Sequence, residues 1–232
     1  MATTEDFKLK ATDPNQYDAP ELDWTVFGDE NHSSRLFFRG YLLEELEDLS
    51  GKKVLDIGSG VGQLFNTLKS LGAEKIVGIE PSFRNFEYSK NKHSEIDVYN
   101  GTLEGFSTED KFNTIICIAV FEHIIDMDSA FLKISSLLED GGTFYLMVAD
   151  FKYNNTTRVN SRGFEIVTET QKIDDDTVAT KTHYDDGLIY DILRKLKSVT
   201  NSADRFGLKL IKNIDMLSAD GNLAWHFLIF TK

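Results

Sequence analysis

Gly58, Gly60 and Gly62 follow directly on the apolar run Val54-Leu55-Asp56-Ile57. Glycines so spaced let a backbone turn tightly at the end of a strand and approach a ligand with no side chain in the way. A tight strand-to-helix turn that holds no ligand would use the same spacing, so the neighbours of the loop must decide its meaning. Glu80 stands 18 residues beyond Gly62, at the end of the next strand-like run, where a carboxylate can accept hydrogen bonds from both hydroxyls of a ribose. Asp56, inside the glycine segment, is unwelcome beside a pyrophosphate and well suited to a cationic amino acid.

A second group of reactive types is Phe121-Glu122-His123-Ile124, directly after the apolar run Phe112 to Val120. Such a position lies at the carboxyl edge of an open α/β sheet, where ligands bind. Two readings stand. His123, with Glu122 beside it, can act as a general base, because imidazole titrates near neutral pH. Alternatively, Glu122 caps a helix and His123 packs against a bound molecule. His183 and Tyr184 follow a hairpin-like segment. They either cover the site from above, excluding water and favouring a positive charge, or simply pack the hairpin down.

The elements that must hold these residues alternate. Residues 1 to 30 are polar, contain Pro14 and Pro20, and predict an irregular arm anchored by Trp24 and Phe27. Ser34 to Leu49 has helical spacing, Val54 to Ile57 reads as a buried strand, and Gln63 to Leu71 reads as a helix stopped at Gly72. Strands over Lys75 to Glu80, Ile96 to Tyr99, Phe112 to Val120 and Thr143 to Ala149 alternate with helices over Ser82 to His93 and Ser129 to Leu138. Gly141-Gly142 is expected as a turn. This alternation predicts a parallel sheet covered on both faces. Phe164 to Gln171 and Thr177 to Tyr184 then predict a hairpin around Asp174-Asp175-Asp176, so that residues 151–185 form an inserted lid. Gly187 to Arg205 reads as a helix, and Leu208 to Met216 and Leu223 to Phe230 as an antiparallel terminal hairpin.

Composition bounds the rest. A chain of 232 residues, 41% hydrophobic, supports one core, with residues 31–232 as a single domain behind the arm. With 25 Lys+Arg against 38 Asp+Glu, the net charge of −13 repels nucleic acids and anionic membranes on average. The lone Cys117 sits in an apolar run and suits a reducing, cytoplasmic compartment. No signal-peptide pattern opens the sequence and no run is long enough to span a bilayer.

Val54 to Gly62, with Glu80 and the terminal hairpin, resembles the class I S-adenosylmethionine-dependent methyltransferases over about Arg39 to Ala149. The resemblance implies a Rossmann-like three-layer α/β sandwich with a mostly parallel seven-stranded sheet and a C-terminal antiparallel hairpin. It implies S-adenosyl-L-methionine as cofactor and S-adenosyl-L-homocysteine as product. Gly58, Ser59 and Gly60 would line the methionine and ribose portion, Asp56 would act on the amino end, Glu80 on the ribose, and Pro81 beside the adenine. Asn100 to Glu104 is similar to the family's third motif, with Thr102 where an acidic residue commonly stands, which leaves the adenine to Thr102, the Leu103 backbone or Glu104. Ala119, at the end of the fourth strand, completes the expected cofactor set. A similar Phe-Glu-His occurs in small-molecule methyltransferases, including plant alkaloid N-methyltransferases and cyclopropane fatty acid synthases. The acceptor is therefore expected to be a small molecule, methylated on oxygen before nitrogen, with Glu122, His123 and His183 as the catalytic candidates. Small-RNA 2′-O-methyltransferases bind Mg²⁺ with a further glutamate three positions before a Glu-His pair. Ala119 stands there, so no metal is expected. Ubiquinone-pathway O-methyltransferases carry an arginine at a spacing close to that of Arg39, where it reaches the methionine carboxylate. A solvated Arg39 balancing Glu44 or Glu45 is the alternative.

Overall fold

The computed structural model describes residues 3–18, 33–46, 48–152, 158–159, 165–184, 187–218 and 221–232. Five strands carry the parallel alternation: β1 (Lys53–Ile57), β2 (Lys75–Glu80), β3 (Asp97–Asn100), β4 (Phe112–Ile118) and β5 (Leu138–Ala149). They lie in the order β3-β2-β1-β4-β5, all parallel, so the chain steps outward from β1 to β3 and returns to β4 on the other side. The reversal between β1 and β4 is the switch point at which open α/β sheets bind ligands. Beyond β5 the sheet continues with two strands numbered below as β10 (Lys209–Leu217) and β11 (Leu223–Thr231), with β11 inserted antiparallel between β5 and β10. The predicted seven-stranded sheet with its terminal hairpin is the observed one.

Period-two alternation along the strands feeds two apolar layers. Leu55 and Ile57 of β1 pack on one side with Phe131 and Ile134 of the helix Met127–Leu137 (α5) and Val199 and Ala203 of the helix Leu196–Arg205 (α6). On the other side Val54 joins Leu42 of the helix Ser33–Glu45 (α2), Leu68 of the helix Phe65–Ser70 (α3), and Phe86 of the helix Phe83–Lys92 (α4). Three layers result, with the reactive loops gathered along the carboxyl edge.

Several expectations need correction. Residues Thr4–Ala11 are helical (α1), not irregular, and Pro14–Asp18 form a 3-10 turn. Thr3 and Asp6 build a reciprocal capping box that satisfies the first amides, and Phe7 and Ala11, one turn apart, are the buried face. Trp24 and Phe27 lie outside the described residues. The segment after β5 is a second, antiparallel sheet of four strands, β6 (Arg158–Val159), β7 (Glu165–Lys172), β8 (Thr177–Tyr184) and β9 (Gly187–Arg194). The β7–β8 hairpin is the predicted one, but the expected helix over 187–205 divides. Its first half is β9, because Leu188 to Leu193 supply the ladder that the second edge of β8 requires, and only residues after Lys195 are helical. Gly141-Gly142 is a bulge within β5 rather than a separate turn: partners shift between Phe112↔Leu138 and Thr114↔Thr143, and Gly141 takes φ 79°.

α1 packs on the second sheet. Phe7 and Ala11 cluster with Ala179 of β8 and Tyr190 and Ile192 of β9, with the Phe7 and Tyr190 rings edge-on at 5.6 Å. Lys10 Nζ lies 5.1 Å from the centre of the Tyr190 ring, and the Tyr190 backbone N–H donates to Gln16 Oε1 at 3.1 Å.

Candidate active site

The chain leaves β1 through a loop whose backbone is folded by its own glycines. Gly58, Gly60 and Gly62 have φ of 70°, 56° and 79°, a region that a side chain disfavours. The N–H groups of Gly58 and Ser59 donate to the Ile79 carbonyl, which ties the loop to β2. A Cβ on Gly58 would collide with the Val120 side chain, so the loops after β1 and β4 touch across the switch point. A Cβ on Gly60 would come within 2.7 Å of Gln63 Oε1.

Two carboxyl groups sit beneath this loop. Glu80, at the end of β2, is 5% exposed; its Oε2 accepts from Gly60 N–H at 2.7 Å and its Oε1 from Ser82 N–H at 2.9 Å. Burial pushes its pKa up to about 7, against the opposing pull of those donors. Asp56, 4% exposed at the end of β1, is pushed up to about 8 by burial and then by the Glu80 charge. Two buried acids held this way form a strongly cation-seeking pair. Ser59 Oγ, in the same loop, is buried with no hydrogen-bond partner among the described residues.

The other wall follows β4. Ala119 has φ 55°, the one non-glycine residue in the left-handed region among the described residues, and its N–H donates to the Met147 carbonyl. This kink aims the 3-10 turn Phe121–His123 back across the sheet edge. Glu122 is buried; its Oε1 accepts from Ala149 N–H at 2.6 Å, so it anchors the turn to the end of β5, and burial raises its pKa. Arg194 of β9 clamps the turn from the other side, donating to the carbonyls of Phe121, Ile124 and Ile125.

His123 meets three elements. Its Nδ1 lies 3.2 Å from the Ala11 carbonyl oxygen, and the Tyr17 hydroxyl is bonded at Nε2 and 3.2 Å from Nδ1, with the two rings edge-on. Asp191 Oδ1 of β9 is 3.7 Å from Nε2. Desolvation lowers the imidazole pKa, although Glu122 opposes it, so the ring is neutral at neutral pH. Next to Tyr17, Asp18 Oδ1 accepts from Ser82 Oγ–H at 2.5 Å and from Arg84 N–H at 3.2 Å at the start of α4. Tyr17, Asp18, Asp191 and Arg194 were not picked out from sequence. Beside the anchors expected at Trp24 and Phe27, the spacing Phe7/Ala11 is the local signal that this part of the arm packs on something.

The remaining sequence candidates spread around this cleft. Pro81 follows Glu80, and its carbonyl accepts from Asn100 Nδ2 at 3.3 Å. Thr102 is exposed just past β3, while the Leu103 side chain is in the core, leaving only its backbone for a ligand. Arg39 is partly buried on α2 and makes no ion pair among the described residues, with Glu44 or with Glu45, the two surface partners weighed for it; Glu45 binds Lys212 instead. His183, on β8, is bonded to Glu169 at 2.9 Å rather than to His123, and the Tyr184 side chain lies outside the described residues. No cluster of three metal-ligating side chains occurs among the described residues. None of their helices is long and apolar enough to cross a membrane.

Comparison with known proteins gives this cleft a context. A ubiquinone biosynthesis O-methyltransferase of Bradyrhizobium sp. (strain ORS 278) is 32% identical over 103 residues, 43% of this chain and 40% of that protein. A tRNA U34 carboxymethyltransferase of Campylobacter hominis is 32% identical over 117 residues, 47% of this chain and 40% of that protein. The chain thus spans less than half the length of these curated relatives. An S-adenosylmethionine-dependent methyltransferase structure from Clostridium acetobutylicum ATCC 824 shares the fold, with a TM-score of 0.64 at 15% identity, over 94% of this chain and 95% of that one. The methyltransferase-domain family matches residues 31–180, a segment that holds the glycine loop, both buried acids and the Phe121–His123 turn, and the chain belongs to that family.

Proposed function

We propose that the protein transfers a methyl group from S-adenosyl-L-methionine to a small-molecule acceptor, oxygen before nitrogen. One observation carries the cofactor: Asp56 and Glu80, buried and raised to about 8 and about 7, face a glycine loop at the switch point, where a ligand both cationic and ribose-bearing would compensate their desolvation. Gly58, Ser59 and Gly60 would hold the methionine and ribose portion, Asp56 the amino end, Glu80 the ribose, and Pro81, Thr102 and the Leu103 backbone the adenine. Arg39 would take the carboxylate. When bound, the sulfonium supplies an electrophilic methyl carbon. The turn that follows α1, which reaches both His123 and Ser82, would help to keep water from it.

A small acceptor is favoured by the net charge of −13, which opposes an RNA such as the tRNA named for one relative, and by the O-methyltransferase name of another. The decisive experiment has two arms. Calorimetry should show stoichiometric S-adenosylhomocysteine binding, and a radiolabelled methyl transfer screen should return hydroxyl-bearing metabolites. Binding without transfer to any small molecule, or transfer only to RNA, would overturn the acceptor while sparing the cofactor.

A further inference from the structure

His123 is not placed to meet an acceptor directly. Both ring nitrogens are engaged by the protein itself: Nδ1 by the Ala11 carbonyl, which can only accept, and Nε2 by the Tyr17 hydroxyl. With the proton on Nδ1, donated to the Ala11 carbonyl, Nε2 accepts from Tyr17 O–H; the Tyr190 carbonyl of β9 also hydrogen-bonds the ring. The 3-10 turn that carries Tyr17 has a particular path. Tyr17 contacts the turn after β4, and its neighbour Asp18 caps α4, which begins just after β2. In the sheet, β1 lies between β4 and β2. Residues 17 and 18 thus bridge the carboxyl end of β1, where the glycine loop departs.

We propose that Tyr17 is a catalytic residue of the methyl transfer, taking the acceptor's proton while passing its own to His123, which acts through it as the positioning base. This rests on the functional reading above. In the step, the acceptor O–H or N–H bond breaks and its proton moves to the Tyr17 oxygen. The Tyr17 O–H bond breaks in turn, and that proton bonds Nε2 of His123. The freed acceptor pair forms the new bond to the methyl carbon, and the C–S pair stays with sulfur. The imidazolium so formed keeps Nδ1–H on the Ala11 carbonyl and faces the Asp191 carboxylate at 3.7 Å. Around His123 the other charged or polar groups are Glu122 beside it on the same turn, Asp191 and the Tyr190 carbonyl of β9, and the Ala11 carbonyl of α1. Both carboxylates favour the charged ring once a proton arrives, while burial keeps it neutral beforehand. A base at rest and an acid after transfer is the cycle a relay needs.

The test uses the full chain labelled with ¹⁵N at histidine, with and without S-adenosylhomocysteine, and its Tyr17→Phe variant, which retains the ring that packs on His123. Long-range nitrogen–proton spectra should show the Nδ1–H tautomer in the parent. Tyr17→Phe should move the His123 titration upward, because the lost O–H donor had favoured the neutral ring. An Nε2–H tautomer, or a titration that does not move, would overturn the relay. On the acceptor returned by the radiolabel screen, Tyr17→Phe should lower kcat by about 10² or more, with S-adenosylhomocysteine affinity within threefold of the parent. Unchanged kcat would remove Tyr17 from the chemistry even if the tautomer is as stated. Failure to bind S-adenosylhomocysteine at all would count against the cofactor reading, whereas intact binding with an unmoved His123 titration would count against the relay alone.

Discussion

Glu80 has two tasks that one substitution separates. Its two oxygens hold the Gly60 and Ser82 amides and accept from the Asn85 side chain as well, which leaves one lone-pair site of the carboxylate for a ribose hydroxyl. Glu80→Ala should weaken S-adenosylhomocysteine binding by about 1.5 to 3 kcal/mol, the range for hydrogen bonds to a charged group. It should also destabilise the chain without ligand by about 1 to 3 kcal/mol, since two buried amides lose their acceptor. Calorimetry and urea unfolding measure the two losses independently, and a variant that binds normally would detach Glu80 from the ribose. Gly58→Val tests the facing side of the cleft. The new side chain meets Val120 at a φ of 70°, so both stability and ligand binding should fall, and a melt and affinity equal to the parent would show that the loops after β1 and β4 do not touch. Gly58, Gly60, Asp56 and Glu80 were legible in sequence because each belongs to a short strand-and-turn unit whose chemistry is local. Tyr17 and Asp18 were not, because their partners lie 106 and 64 residues away and nothing in residues 14–18 encodes the meeting.

At the scale of elements, α1 matters because it carries the turn that reaches His123. Its attachment is apolar: Phe7 and Ala11 fill a cluster with Ala179, Tyr190 and Ile192. Phe7→Ala should cost about 3 kcal/mol of local docking energy, less than the loss expected from a central core phenylalanine because α1 can detach alone. Once it detaches, the Ala11 carbonyl and the Tyr17 hydroxyl leave the imidazole. His123 should then react faster with diethyl pyrocarbonate, followed by mass spectrometry at that residue. Equal modification rates in parent and variant would mean that α1 does not govern access to His123. The alternation of β1 to β5 was readable since buried parallel strands are apolar runs between glycine or proline signals. β9 was misread as helix because Leu188 to Leu193 is a short apolar run, and such runs carry no period that separates a buried strand from a buried helix. The need of β8 for a second partner decided it, and that need is tertiary.

The whole molecule couples its proton balance to the ligand. In the unfolded chain Asp56 and Glu80 titrate near 3.8 and 4.5; in the folded chain they stand at about 8 and about 7. Between those limits the folded state holds more protons than the unfolded one, so stability falls as pH rises. The contribution is absent below about pH 4, where both states are protonated, and the full penalty applies above about pH 8. His123 acts oppositely, because its lowered pKa makes stability rise with pH up to its ordinary 6.5. Asp110, held at about 2 chiefly by Lys53 and Lys75, matters only in acid. The window from pH 6.5 to 8.5 therefore lies above the His123 and Asp110 transitions and leaves the raised buried acids, Asp56 and Glu80 with Glu122 acting in the same direction, with a slope of at most about 1.4 kcal/mol per pH unit for each. The ligand-free chain should lose melting temperature steadily across that window. Asp56→Asn should flatten much of the loss and be more stable than the parent at pH 8.5 while binding S-adenosylmethionine poorly, a trade of stability for function of the kind buried active-site charges impose. A sulfonium or ammonium beside the acids would lower both pKa values again, so S-adenosylmethionine binding at pH 7.5 should release protons to the buffer. Calorimetry in two buffers of different ionisation enthalpy reads that release directly. Identical apparent enthalpies in the two buffers, with a melting temperature flat from pH 6.5 to 8.5, would mean that Asp56 and Glu80 are ionised in the free protein and that the cofactor's charge is met elsewhere.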